Sequence, residues 1–346
     1  MLQSVKTCGK CKRAYNGEND FMRDTSQWRL SEEKHLFFNC SCGSTIMLPE
    51  GKYEWYSPAK IMSPEAATLF NKLSILGTLP HIPSAIMKIQ TLLQDESTQP
   101  GVLAAAILKE PLIASTLLRT ATNIKFARTG DKAPIDSIEH AIAYVGLDML
   151  SQVVLMASVK SFKIQTKIFT SEIFWEEAFS TGHFATVIGA RHAAHVPKDH
   201  VYLAATLANI GKIVAGIVDA PAVDDTYAFL NDPKTLCTWR AAEKRTQKFP
   251  HNILGEVGGA IWGFPKYVLE AARFHHEPQS HHLKAPTGSL TLIEVVALGI
   301  NLSHWARLEP TRMDRDLMLQ IAGKVGLKEG DLANLVEDFR AKASLN

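Results

Sequence analysis

The chain has 346 residues, 46% of them hydrophobic, with 37 basic residues against 35 acidic ones. That length fits two or three domains, and the composition is that of a globular chain with a sizeable core, which excludes a disordered one. The even charge argues against a nucleic-acid partner, whose phosphates require a basic field.

The opening MLQSVKTCGKCK has no apolar h-region, and no run approaches the ~18 apolar residues of a membrane span. A cytoplasmic protein without a membrane partner is therefore expected. In a reducing compartment, cysteines point to metal rather than to disulfides. Four of the five fall in two close pairs, Cys8-Gly-Lys-Cys11 and Cys40-Ser-Cys42. Zinc takes four soft ligands in a tetrahedron, and a structural site closes on thiolates alone. Short strand-like runs carrying Phe21, Trp28, Leu30 and Leu36 to Phe38 lie between the pairs. Knuckle, strands, knuckle is the layout of a zinc ribbon, expected over residues 1–57 with structural zinc on Cys8, Cys11, Cys40 and Cys42. So small a module needs a metal for its stability. The second pair is one residue tighter than usual, and His35 is an alternative ligand. Tyr53, Trp55 and Tyr56 are expected to pack the ribbon onto its neighbour rather than to stack bases. Cys237 reads as an incidental or buried thiol.

From residue 63 the periodicity is helical. Ser63-Pro64-Glu65 reads as an N-cap with proline at N1. Pro100 and Pro111 each sit where a helix can start. Asp136 and Glu139 are placed as a capping box, on a helix that Gly146 stops. A second helix is expected over 147–162, longer ones over 172–195 and 199–218, and shorter ones at 237–247, 252–261, 265–275, 289–305, 312–324 and 329–341. Loops are expected at 77–83, 126–135, 219–234 and 278–288. The fold class is mainly α: a helical body behind a small β metal module.

Several motifs in this body occur in a familiar order. Leu79-Pro80-His81-Ile82-Pro83 opens it, Glu110-Pro111 follows, and then come Leu117-Leu118-Arg119-Thr120-Ala121-Thr122-Asn123 and SIEHAIAYVGLDML from 137. Phe174-Trp175 opens a long helix, and GEVGGAIWGFPKYVLEAARFHHEP ends the series at 278. This pattern resembles the HDOD domain, a relative of the HD metal-dependent phosphohydrolases. The resemblance implies an all-helical domain over 63–285, with an N-terminal half to about 165, a degenerate HD-like half over 166–285, and further helices over 286–346 packed on it.

In an HD hydrolase, two histidines and two aspartates hold the metal that activates water. By resemblance, the first histidine position holds Glu177, and the His-Asp pair before Ile-Gly-Lys is Ala208-Asn209. The late aspartate would fall near Ile300 and Asn301. Alanine cannot ligate, and asparagine is a neutral, weak ligand. The resemblance therefore implies a bacterial-type regulatory protein without catalysis, acting in signal transduction through contacts with other signalling or regulatory proteins. Lys212, His275 and His276 are candidate pocket residues. Two alternatives are a cryptic metal-dependent phosphohydrolase and nucleic-acid binding through the ribbon. Among the other histidines, His192 and His195 lie three apart on an expected helix and could share a metal, and His275, His276, His281 and His282 crowd one stretch around Glu277. The lone His183, His200 and His251 read as surface or satisfied helix residues.

Overall fold

A computed structural model describes residues 6–8, 10–15, 25–30, 36–40, 45–48, 66, 69, 79–80, 83–95, 97–129, 133–232, 234–235, 237–262, 264–281, 284–307 and 313–343. The N-terminal segment is β. Strands β1 (Lys6–Thr7) and β2 (Ala14–Tyr15) pair antiparallel, while β3 (Thr25–Leu30), β4 (Leu36–Cys40) and β5 (Thr45–Leu48) form an antiparallel meander. Cys8 and Cys11 sit in the turn between β1 and β2. There Cys8 N donates to Arg13 O at 2.8 Å, and Lys12 adopts a positive φ of 62°. Cys40 ends β4, opposite Thr25. Cys42, His35, Tyr53, Trp55, Tyr56 and the cap at Ser63 lie outside the described residues.

Every described regular element beyond residue 80 is helical. Prolines start two of the first helices, where a missing N–H costs nothing. They are α1 (Ser84–Gln94), α2 (Pro100–Leu108) and α3 (Pro111–Thr129). The next, α4 (Ile138–Lys160), bends by 109° at Gly146, whose φ is +81°. The glycine stops one helical direction as expected, and the chain re-enters a helix at once. The cap is one residue later than expected: the Ser137 side chain, not that of Asp136, accepts from His140 N.

Helices α5 (Ser171–His192), α6 (Lys198–Leu207) and α7 (Gly211–Val218) follow. The single long helix expected over 199–218 is thus interrupted at Ala208–Ile210, where Ile210 N and Lys212 N bond three residues back, to Leu207 O and Asn209 O. The stretch His200–Val218 is long and apolar enough to cross a membrane, and 89% of it is buried inside the protein. Its character is accounted for by the core it fills. The end of α5 separates two histidines that were candidates for a shared metal. His192 closes the helix, and exposed His195 stands in the turn beyond it.

The loop expected over 219–234 is instead α8 (Ala220–Asn231), capped by the Asp219 side chain and carrying proline in its first turn. Asp224 on this helix accepts backbone N–H groups of Lys167, Ile168 and Phe169 at 2.7, 2.7 and 3.3 Å. Burial opposes its charged form, but those three donors outweigh it and hold the carboxyl below its usual range. Asp224→Ala removes the acceptor of all three N–H groups, two of which water can reach, and is expected to cost about 1 kcal/mol, read as a lower urea midpoint with unchanged slope.

The remaining helices are α9 (Trp239–Thr246), α10 (His251–Ile261), α11 (Lys266–Phe274), α12 (Leu292–Ala306), α13 (Arg315–Gly323) and α14 (Glu329–Ala343), with a 3-10 turn at Pro278–Ser280. Two apolar clusters make the core. One joins α1–α4 to the first half of α5 and to α7 and α10, through residues such as Leu117, Val154, Phe174 and Trp262. The other joins the second half of α5 to α6 and α12–α14, through Phe184, Ala204, Val296 and Met318. Helix α5 belongs to both. Two of the sequence motifs also meet directly: Trp262 Nε1 donates to Pro80 O at 3.1 Å, and the indole is 1% exposed.

Candidate functional site

Where the two clusters meet, a cavity of about 50 Å³ opens between the starts of α7, α9, α10 and α13, the end of α11 and the C-terminal half of α12. Its wall brings together Asn209, Lys212, His275, His276, Asn301 and His304, five of which are buried. Of the proposed HD-like positions, Asn209 and Asn301 therefore line the cavity, together with both histidines of the HHEP motif. Ala208 is not among the lining residues; it is fully buried in the second apolar cluster.

Glu177 lies behind this wall on α5, 3% exposed. Its Oε1 accepts from Asn209 Nδ2 at 2.8 Å and from Lys212 Nζ at 2.8 Å, and His304 Nε2 is 3.8 Å away. Burial alone would raise this carboxyl. Lys212 and then His304 more than offset that and bring it down to about 2. The ammonium also stands 4.2 Å from the centre of the Trp239 ring, a cation–π contact in a dry setting. An internal ion pair thus sits beside Asn209, one of the positions that the resemblance assigned to HD ligands. Tested as HD ligands, these residues do not fit: Ala208 has no donor atom, Asn209 offers a neutral amide, and the Glu177 carboxylate is already taken by Lys212. Asn301 is also engaged, donating to Ala297 O at 2.9 Å and accepting from Asp314 N at 2.6 Å.

The glycine between Asn209 and Lys212 has a packing reason. A Cβ on Gly211 would lie 1.7 Å from His251 O and 2.6 Å from Gly255 N. Glycine lets α7 and α10 approach backbone to backbone, which sets His251 beside the cavity.

His251 is the residue that sequence reasoning missed. It is 1% exposed, not on the surface. Its Nδ1 lies 3.0 and 3.1 Å from the two carboxylate oxygens of Glu243, and its Nε2 is 3.2 Å from His275 Nε2 and 3.1 Å from His276 Nε2. Among the described residues, this is the one group of three metal-competent side chains within reach of a common point. Burial first, and then the neighbouring imidazoles, hold His275 at about 3 and His276 well below the usual histidine range, so both stay neutral at physiological pH. His281, expected in the same crowd, packs instead on Phe274 and lies 3.5 Å from Glu270, while His282 is outside the described residues. His200 stacks on Tyr267 at 4.0 Å, and His183 lies between Phe184 and Phe339.

The described body is a mainly helical domain in which the sequence motifs meet around one cavity. A family model for the HDOD domain matches residues 79–278, and the chain belongs to that family. Among solved structures, an HDOD domain protein of unknown function from Geobacter sulfurreducens is similar, with a TM-score of 0.56 at 18% identity over 82% of this chain and 96% of that one. A protein from Shewanella amazonensis SB2B, provisionally named a phosphohydrolase, gives 0.55 at 17% over 80% and 95%. A protein from Marinobacter aquaeolei VT8, provisionally named for signal transduction, gives 0.52 at 14% over 94% and 72%. At such identities the likeness speaks to the fold. No curated protein matches the chain.

Proposed function

We propose that this chain is a non-catalytic signal-transduction protein whose HDOD body docks other regulatory proteins, with a zinc-holding ribbon at its N-terminal end. The observation that carries the first part is the Lys212–Glu177 pair, 1% and 4% exposed. Its ammonium supplies, within the chain, the positive charge that a metal supplies in an HD hydrolase. The name of the Marinobacter aquaeolei relative agrees with a signalling role. Purified protein is expected to give no turnover of cyclic dinucleotides or phosphodiesters with manganese, magnesium, iron or zinc. Metal-dependent turnover that disappears in Asn209→Ala and His276→Ala would overturn this reading.

A second reading, a metal-dependent phosphohydrolase, is favoured by one observation: the three imidazoles face the cavity. The same assay decides between the two.

The turn holding Cys8 and Cys11 supports the ribbon part of the proposal, with Cys40 at the end of β4. Four thiolates from this segment make a closed, structural set. Cys8→Ser is expected to remove one zinc per chain, measured by elemental analysis, and to loosen the N-terminal segment to proteolysis.

A further inference from the structure

The packing at the far end of α5 leaves space that no described side chain fills. From Gly189 to Ala194, four of the six residues are glycine or alanine, so the end of α5 and the turn after it carry little bulk. A cavity of about 160 Å³ lies there, against the first turn of α6. It is larger than the cavity at the histidines and shares no lining residue with it. Buried Thr186, Gly189 and Val201 make its floor. Exposed Ala190, Ala194 and Lys198, with half-buried Val196, make its rim. Gly189 lets α6 come close, since a Cβ there would stand 3.1 Å from Val201 Cγ1.

Floor and rim differ in chemistry. The Thr186 hydroxyl is the one polar side-chain group of the floor, and its proton is already donated to Gly182 O at 2.8 Å. Val201 N is likewise spent, on Pro197 O at 3.1 Å. What remains is alkyl surface, which an apolar body covers better than water does. The volume suits a small ring or a branched chain, because an apolar cavity of about 150 Å³ holds benzene. The rim is cationic. Lys198 is its one ionisable residue and has no ion-pair partner among the described residues. Pro197, the N-cap of α6, brings no side-chain acceptor, so the positive end of that helix adjoins the same rim. Between residues 190 and 200, Arg191 and Lys198 stand against a single acid, Asp199. An apolar floor under a cationic rim selects a ligand with an apolar body and an anionic head.

We propose that this cavity binds a small apolar carboxylate, of the size of benzoate or a branched short-chain acid, with its body against Val196 and Val201 and its carboxylate at Lys198. The site is preformed. Val196 N donates to Ala193 O at 2.9 Å, and Leu290 N donates to His192 O at 2.8 Å, which fixes the end of α5 and the turn beyond it. Little ordering therefore opposes binding. The site is compatible with either reading of function, because it concerns binding and not turnover, and none of its residues lines the histidine cavity.

The test uses full-length protein with isotope-labelled valine methyl groups, titrated with benzoate and, as a neutral counterpart, with benzyl alcohol. Benzoate is expected to shift the Val196 and Val201 methyl resonances to saturation. Lys198→Met should weaken benzoate binding about 2–5-fold and leave that of benzyl alcohol unchanged. Ala190→Leu and Ala194→Leu, both at exposed positions, add bulk to the rim. Each should remove binding while the melting temperature and far-ultraviolet circular dichroism stay those of the unaltered protein. Absence of a saturable shift at Val196 and Val201, or a shift that persists in both leucine variants, would overturn the site. Benzyl alcohol binding as tightly as benzoate, with Lys198→Met affecting neither, would overturn the anionic class of ligand. These outcomes stand whatever the phosphodiester assay shows.

Discussion

Lys212→Met is expected to lower the unfolding free energy by about 3–5 kcal/mol, because it leaves the Glu177 carboxylate buried without its counter-charge. Urea denaturation reads the loss. The double variant Lys212→Met/Glu177→Gln should recover most of it, since a buried ion pair replaced as a unit is often neutral, and Asn209 can still donate to the amide oxygen. If the double variant is as weak as the single one, the pair does not act as a unit. The acid limit follows from the same geometry. The carboxyl is depressed from 4.5 to about 2 in the folded protein, so its contribution is complete above pH 4.5 and is lost as pH falls through about 2. Protonation of Glu177 should therefore not contribute to any unfolding seen between pH 4.5 and 7.

Gly211→Ala is the second large effect. The added carbon would meet backbone, His251 O at 1.7 Å and Gly255 N at 2.6 Å, and no side-chain rotation can relieve it. Helices α7 and α10 would have to separate, at a cost of about 3 kcal/mol or more. The displacement also moves His251 away from His275 and loosens their contact. A Gly216→Ala control meets only side-chain atoms of Ile164 and Thr166 at 3.2 Å or more. It should cost under 1 kcal/mol, within the range of mild core changes.

Much of this architecture was legible in the sequence. Prolines at 100 and 111 and the glycine at 146 are local signals, and each acts in the structure as a start or a bend. The Leu-Pro-x-x-Pro and Trp-x-x-Pro motifs were visible separately; that an indole of one hydrogen-bonds a carbonyl of the other was not, because 182 residues intervene. Helix α8 was read as a loop because Pro221 and two aspartates resemble turn residues. The Asp219 cap with a proline in the first turn was the signal that should have favoured a helix. At the site, Glu177, Asn209 and Lys212 were each singled out, yet their joining through one carboxylate oxygen is a fact of packing. His251 was passed over because a lone histidine at a helix start has no spacing to mark it. Its partners Glu243, His275 and His276 lie 8 to 25 positions away on two other segments.

The Trp262–Pro80 bond also bears on how the molecule comes to be made. The donor is an indole buried to 1% exposure, and its acceptor lies just before α1. On a ribosome, the first motif waits without its native partner until some 180 further residues have emerged. Helix α12, which supplies Asn301 and His304 to the cavity, comes later still. Contacts closed over such distances are formed late and slow the folding of a chain. The nascent α1–α4 segment therefore passes through synthesis with part of its apolar surface uncovered, and this is the interval in which a chaperone would matter most for its yield.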